Sequence, residues 1–150
     1  GEVADYAVAS IAFQPPTIEL SPATRQLVGV PTWLAVTSRL DYGEVNAAAG
    51  PVWASVRPTF SDATFDLGED TTVVCATDAA TTWDPALGDH QSSNCTHTYS
   101  HSGLYEASAT ISWTVEQLTD KNPTVWQPWG TVTLTTPITV DVRQLQAVID

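Results

Sequence analysis

Between Tyr105 and Glu116 the chain alternates without interruption. Tyr105, Ala107, Ala109, Ile111, Trp113 and Val115 occupy one phase, and Glu106, Ser108, Thr110, Ser112, Thr114 and Glu116 occupy the other. Successive strand side chains point to opposite faces, so the pattern predicts one long strand buried on a single side. After the turn-rich segment Thr119 to Pro123 the alternation returns, with Val132, Leu134, Ile138, Val140 and Val142 opposite Thr131, Thr133, Thr135, Thr139 and Asp141. Pro137 falls on the outward phase and lacks an N–H. It therefore predicts an edge strand carrying a bulge or a switch between sheets. The tail from Arg143 to Ile149 is read as continuing that strand.

Trp33 to Thr37 and Pro51 to Val56 are short, β-branched and aromatic, and turn clusters at Asp41 to Gly43 and Asn46 to Gly50 separate them. A further strand is expected over Thr17 to Leu20, among Pro15, Pro16 and Pro22. Gly1 to Gln14 is apolar enough to pack but has no decisive period, and no segment reads as an amphipathic helix with a cap and a stop. Many short strands at regular spacing predict an all-β sandwich of about seven to nine antiparallel strands. The length of 150 residues suits one domain, residues 1–150.

Composition narrows the possible partners. Five basic residues stand singly against seventeen acidic ones, for a net charge of -12. Phosphate backbones require clustered positive charge, so no nucleic acid is expected as a partner. No run of about twenty apolar residues is present, so no membrane insertion is expected within this chain. The first residues lack the pattern of a signal peptide, and a signal or anchor is expected to lie outside the chain.

Cys75 and Cys95 are the only cysteines. A bridge would close a loop of about twenty residues, worth roughly 3 kcal/mol in the loop-entropy model, and would imply an oxidising compartment. Two buried free thiols are the alternative. Zinc can be drawn from Cys75, Cys95, His97 and His101, but no Cys-x-x-Cys or His-Glu-x-x-His spacing supports it. Calcium has weak candidates in Asp66, Glu69 and Asp70, with Asp62 nearby, although a solvated acidic turn accounts for the same residues. Asp84, Asp89, His90 and His101 lie on loops without a hydrolase motif, so no catalytic residue, no enzyme activity and no cofactor are expected. Six tryptophans are many for this length. Trp33, Trp53 and Trp113 fall in strands, whereas Trp83, Trp126 and Trp129 fall in turn-rich segments and are the candidate recognition residues.

The segments Phe65-Asp66-Leu67-Gly68-Glu69-Asp70, His97-Thr98-Tyr99 and Gly103-Leu104-Tyr105-Glu106-Ala107 follow one another in an order that resembles the PKD (polycystic kidney disease) domain. That family is an immunoglobulin-like sandwich common in extracellular proteins. Its pattern is an aromatic-Asp-aromatic-Gly-Asp-Gly turn, then His-x-Tyr, then Gly-x-Tyr-x-Val. Here Glu69 and Asp70 replace the final Asp and Gly, and Ala107 replaces Val. The resemblance covers about residues 47–143 and leaves 1–46 as an N-terminal extension packed on the PKD-like core.

With Val30-Pro-Thr-Trp33-Leu34, the cysteine pair and the terminal Val-x-x-x-Gln-Ala-Val, the chain is also similar to PKD-like regions of secreted or membrane-tethered proteins of high-GC Gram-positive bacteria. The resemblance implies an extracellular or cell-surface module for adhesion or spacing, whose partner is a protein or a cell-surface glycan. A structural subunit of a surface assembly, paired through an edge strand, is the alternative. Physically, Gly68 suits a hairpin turn with positive φ. Tyr105 sits where a tyrosine corner ties a loop to a strand, and His97 and Tyr99 close the opposite strand end. The cysteine loop is the first candidate for a recognition element.

Overall fold

The long alternating segment forms β8 (Gly103–Thr119). A turn at Asp120 and Lys121 returns it antiparallel along β9 (Asn122–Arg143), and its other side pairs with β5 (Val52–Asp66). These come from a computed structural model that describes residues 1–144; the expected strand continuation to Ile149 runs outside the described residues. The short strands β2 (Gln26–Leu27) and β4 (Val45–Ala49) lie at the two ends of this sheet, in the order β2-β9-β8-β5-β4. β6 (Thr72–Cys75) pairs with the far end of β5. A second sheet, ordered β1-β3-β7, contains β1 (Ile18–Ser21), β3 (Pro31–Val36) and β7 (Thr96–Thr98). The two sheets pack as a β-sandwich, with every pairing antiparallel except β2 to β9.

The sheets differ greatly in length. At about 3.3 Å per residue, β8 extends roughly 55 Å and the six-residue β3 only about 20 Å. The small sheet therefore covers one part of the long sheet's apolar face, burying Leu34, Val36, Phe65, Ile111 and Val140 between them. A helix, α1 (Glu2–Ala9), covers another part, where Ala4, Ala7 and Val8 pack with Ile11 on Ala54, Val56 and Val115. Phe13, Tyr42 and Trp113 meet at 4.7–5.8 Å between ring centroids, and Phe13 and Tyr42 touch both packed regions. The Trp113 indole N–H donates to the Leu40 carbonyl at 2.8 Å, which fixes this seam.

Segment 1–46 is thus more than an extension packed on a finished core. It supplies the helix and two of the three strands of the small sheet, and a division at residue 47 cuts through β4. The helix departs from the all-strand expectation, because Ala4, Ala7, Val8 and Ile11 stand at i, i+3, i+4 and i+7 and bury a single face. Pro137 lies on an edge strand as expected, yet it introduces neither a bulge nor a sheet switch; its pairing with Ser108 is in continuous register. The register of β9 on β8 shifts instead at Trp129, between Gly130 opposite Val115 and Pro128 opposite Glu116, and again between Gln117 opposite Gln127 and Thr119 opposite Asn122.

Candidate recognition site

The hairpin joining β5 to β6 turns at Gly68, whose φ of +89° leaves no room for an ordinary side chain. The Asp66 carboxylate accepts the Gly68 N–H and so shapes the turn. Phe65 and Leu67 point inward and are fully buried. The turn directs Glu69 back against the opposite strand end, where the carboxylate accepts the Ser100 N–H at 2.9 Å and the His101 N–H at 3.0 Å. The Tyr105 hydroxyl lies within hydrogen-bonding reach of Glu69 at 3.2 Å and of the His101 carbonyl at 2.7 Å. His97 Nε2 approaches the other carboxylate oxygen at 3.4 Å, both side chains being only 12% exposed.

Burial would raise the Glu69 carboxyl, but the N–H groups of His101 and Ser100, the Tyr105 hydroxyl and His97 together outweigh it and hold the group below the ordinary carboxylate range. Burial, with the Glu69 and Tyr105 charges adding to it, pushes the Tyr99 phenol up to about 12. The Tyr99 hydroxyl donates to the Leu67 carbonyl at 3.1 Å, and its ring packs on His97 and Tyr105 at 4.5 and 4.9 Å. The acidic turn is therefore not wholly solvated. Glu69 ties the hairpin to the loop that leads into β8 at Gly103. Asp66, Glu69 and Asp70 do not form a common centre: among the described residues no three carboxylate, histidine or cysteine side chains are placed to hold a metal ion.

Cys75 and Cys95 form a disulfide with a Cα separation of 5.5 Å. Their sulfurs are bonded to each other, which leaves no thiolate for zinc. The enclosed loop runs along β3: the Val36 N–H donates to the Ala79 carbonyl at 2.7 Å, and the Leu34 N–H donates to the Cys95 carbonyl at 3.0 Å. Through Trp83 it also reaches the outer face of the small sheet at Trp33. Trp33 and Ala35 belong to that outward phase yet are only 7% and 1% exposed, which explains the uninterrupted apolar run Trp33-Leu34-Ala35-Val36. Trp83 packs edge-on against Trp33 at 5.2 Å between centroids. A short 3-10 segment follows (Pro85–His90), and the Ala86 N–H at its start donates to the Asp84 carboxylate at 2.9 Å. The side chains of Asp89 and His90 are outside the described residues.

A groove of about 660 Å³ remains between this loop and the edge of the small sheet, lined by Trp33, Trp83, Pro22, Pro31, Pro85 and Glu19. Of this lining, the sequence marks Trp83 and the stapled loop as candidates, but not Trp33, Glu19 or the prolines. The double-sided apolar run in β3 was the available signal that something covers its outer face.

Trp126 and Trp129 lie within β9 rather than in turns. Pro123, Pro128 and Gly130 resemble turn punctuation, but an edge strand tolerates proline and a bulge tolerates glycine. Trp126 lies beneath the Arg57 guanidinium, 4.0 Å from its ring centroid, while Arg57 also pairs with Glu116 at 3.0 Å. Trp129 donates its indole N–H to Asp5 at 2.9 Å and packs with the helix. The three candidate tryptophans thus serve three separate surfaces, and only Trp83 lines the groove. Comparison with family models, curated proteins and solved structures found no match to this chain.

Proposed function

We propose that this chain is a non-catalytic extracytoplasmic module, PKD-like in organisation, that spaces and attaches a cell-envelope protein by recognising a surface protein or glycan. The observation that carries this reading is the Trp33 and Trp83 groove, built by a disulfide-stapled loop on a rigid sandwich. Such loops present binding residues with little ordering cost. The disulfide is compatible with an oxidising, extracytoplasmic setting, and among the described residues no helix is long and apolar enough to cross a membrane. Among the described residues the closest carboxylate–histidine pair, Glu69 and His97, supports a structural role, because the carboxylate already accepts backbone N–H groups.

The test is a pull-down of cell-surface protein and wall-polysaccharide fractions by the wild-type module and by Trp83→Ala. Retention is expected to fall at least about tenfold in the variant, as for a central interface tryptophan. Equal retention of both forms would sink the reading.

A further inference from the structure

We propose that the groove takes an extended, proline-containing peptide segment with a basic side chain opposite Glu19; this rests on the reading of the groove as the recognition surface. The lining is two tryptophans and three prolines, with Val30 and Ala23 completing an apolar floor and rim. Prolines have a locked φ and tryptophans few rotors, so these walls are preformed and lose little freedom on binding. Aromatic and proline walls suit the polyproline II helix, which is itself preformed and leaves its carbonyls solvated on the open side.

Charge and polarity choose between ligand classes. Among the described residues Glu19 is the one charged group lining the groove, and it makes no ion pair. Together with the net charge of -12 it favours a cationic ligand and disfavours an acidic one, and an indole face also attracts a guanidinium or ammonium group. Besides the Trp33 and Trp83 indole N–H groups, only Glu19 and Ser21 bring polar side-chain atoms to the lining. A sugar ring would find few side-chain partners for its hydroxyls on this surface. A peptide whose apolar rings face the groove needs no such partners. The volume falls within the roughly 300–1,000 Å³ range of sites that enclose a compact ligand.

The experiment titrates the intact module with a synthetic (Arg-Pro-Pro)n peptide, read by tryptophan fluorescence and calorimetry, beside (Glu-Pro-Pro)n and neutral wall glycan. Saturable binding of the arginine peptide is expected. It should weaken about two- to fivefold in Glu19→Gln and at raised salt, and at least about tenfold in Trp83→Ala. Glu19→Lys, at an exposed position, should reverse the preference toward the glutamate peptide while melting like the wild type. Absence of binding, or binding indifferent to both Glu19 variants, overturns the proposal. Saturable glycan binding lost in Trp83→Ala would overturn it while leaving the groove as the recognition surface; equal pull-down retention by the wild type and Trp83→Ala would remove that surface as well.

Discussion

Without the Glu69 carboxylate, two backbone N–H groups lose their acceptor at a strand end where that side chain is only 12% exposed. Glu69→Ala is therefore expected to destabilise the fold by about 1–3 kcal/mol in urea unfolding at neutral pH. Because the folded group titrates below its ordinary value, its contribution is complete above the ordinary carboxylate range and is lost as pH falls through the lowered folded value. Stability measured from neutral to strongly acidic pH should decline along that limb, and Glu69→Gln should flatten it; identical profiles would exclude the role. Gly68→Ala forces a side chain into positive φ and places its Cβ 2.9 Å from Tyr105 Cδ1. The αL strain alone is about 1–2 kcal/mol, and a lowering of the melting temperature by roughly 2–8 °C is expected. Gly68 could be read from sequence because its requirement is local. Glu69 could not, since its surroundings are built by Ser100 and His101, about thirty residues later.

At the scale of elements, the disulfide and the helix have separable consequences. Replacing both Cys75 and Cys95 by Ala should lower stability by roughly 3 kcal/mol, the cost of releasing a twenty-residue loop. Limited proteolysis should then cut within residues 76–94, and Trp33 emission should shift toward that of a solvated indole. Trp129→Phe removes the hydrogen bond to Asp5 but keeps an aromatic ring in place. Amide exchange in α1 is expected to accelerate while that of β8 stays unchanged; exchange rising throughout the sheet would contradict a local tether. β8 and the half of β9 from Thr131 onward were readable because alternation over many residues has one structural meaning, whereas the half that carries Trp126 and Trp129 was read as turns. The eight-residue helix lacks a side-chain cap, and its apolar set leans on alanines, so its period stood out only once its buried face was known.

For the whole molecule, β9 presents a long edge: among the described residues its only strand partner beyond β8 is β2, at Val142 and Arg143. Pro128 and Pro137 each remove an N–H from that strand, and they pair with Glu116 and Ser108, equivalent places in the alternation of β8. Prolines on an exposed edge oppose the addition of another strand. The protein should sediment as a monomer, and Pro128→Thr with Pro137→Thr should raise self-association; a stable wild-type dimer blocked by substitutions along β9 would instead favour assembly through this edge. Periodicity and backbone preference act over neighbouring residues, so the all-β character, the long half-buried strands, the Gly68 turn and the tyrosine that closes the strand end were legible along the chain. Tertiary packing set the rest: a helix completes the cover of the long sheet, Glu69 turns against the opposite strand end, Trp126 and Trp129 are engaged within the fold, and Trp33 and Trp83 frame a groove. Each of those outcomes depends on surfaces brought together from distant parts of the chain, where packing and hydrogen-bond satisfaction override the local pattern.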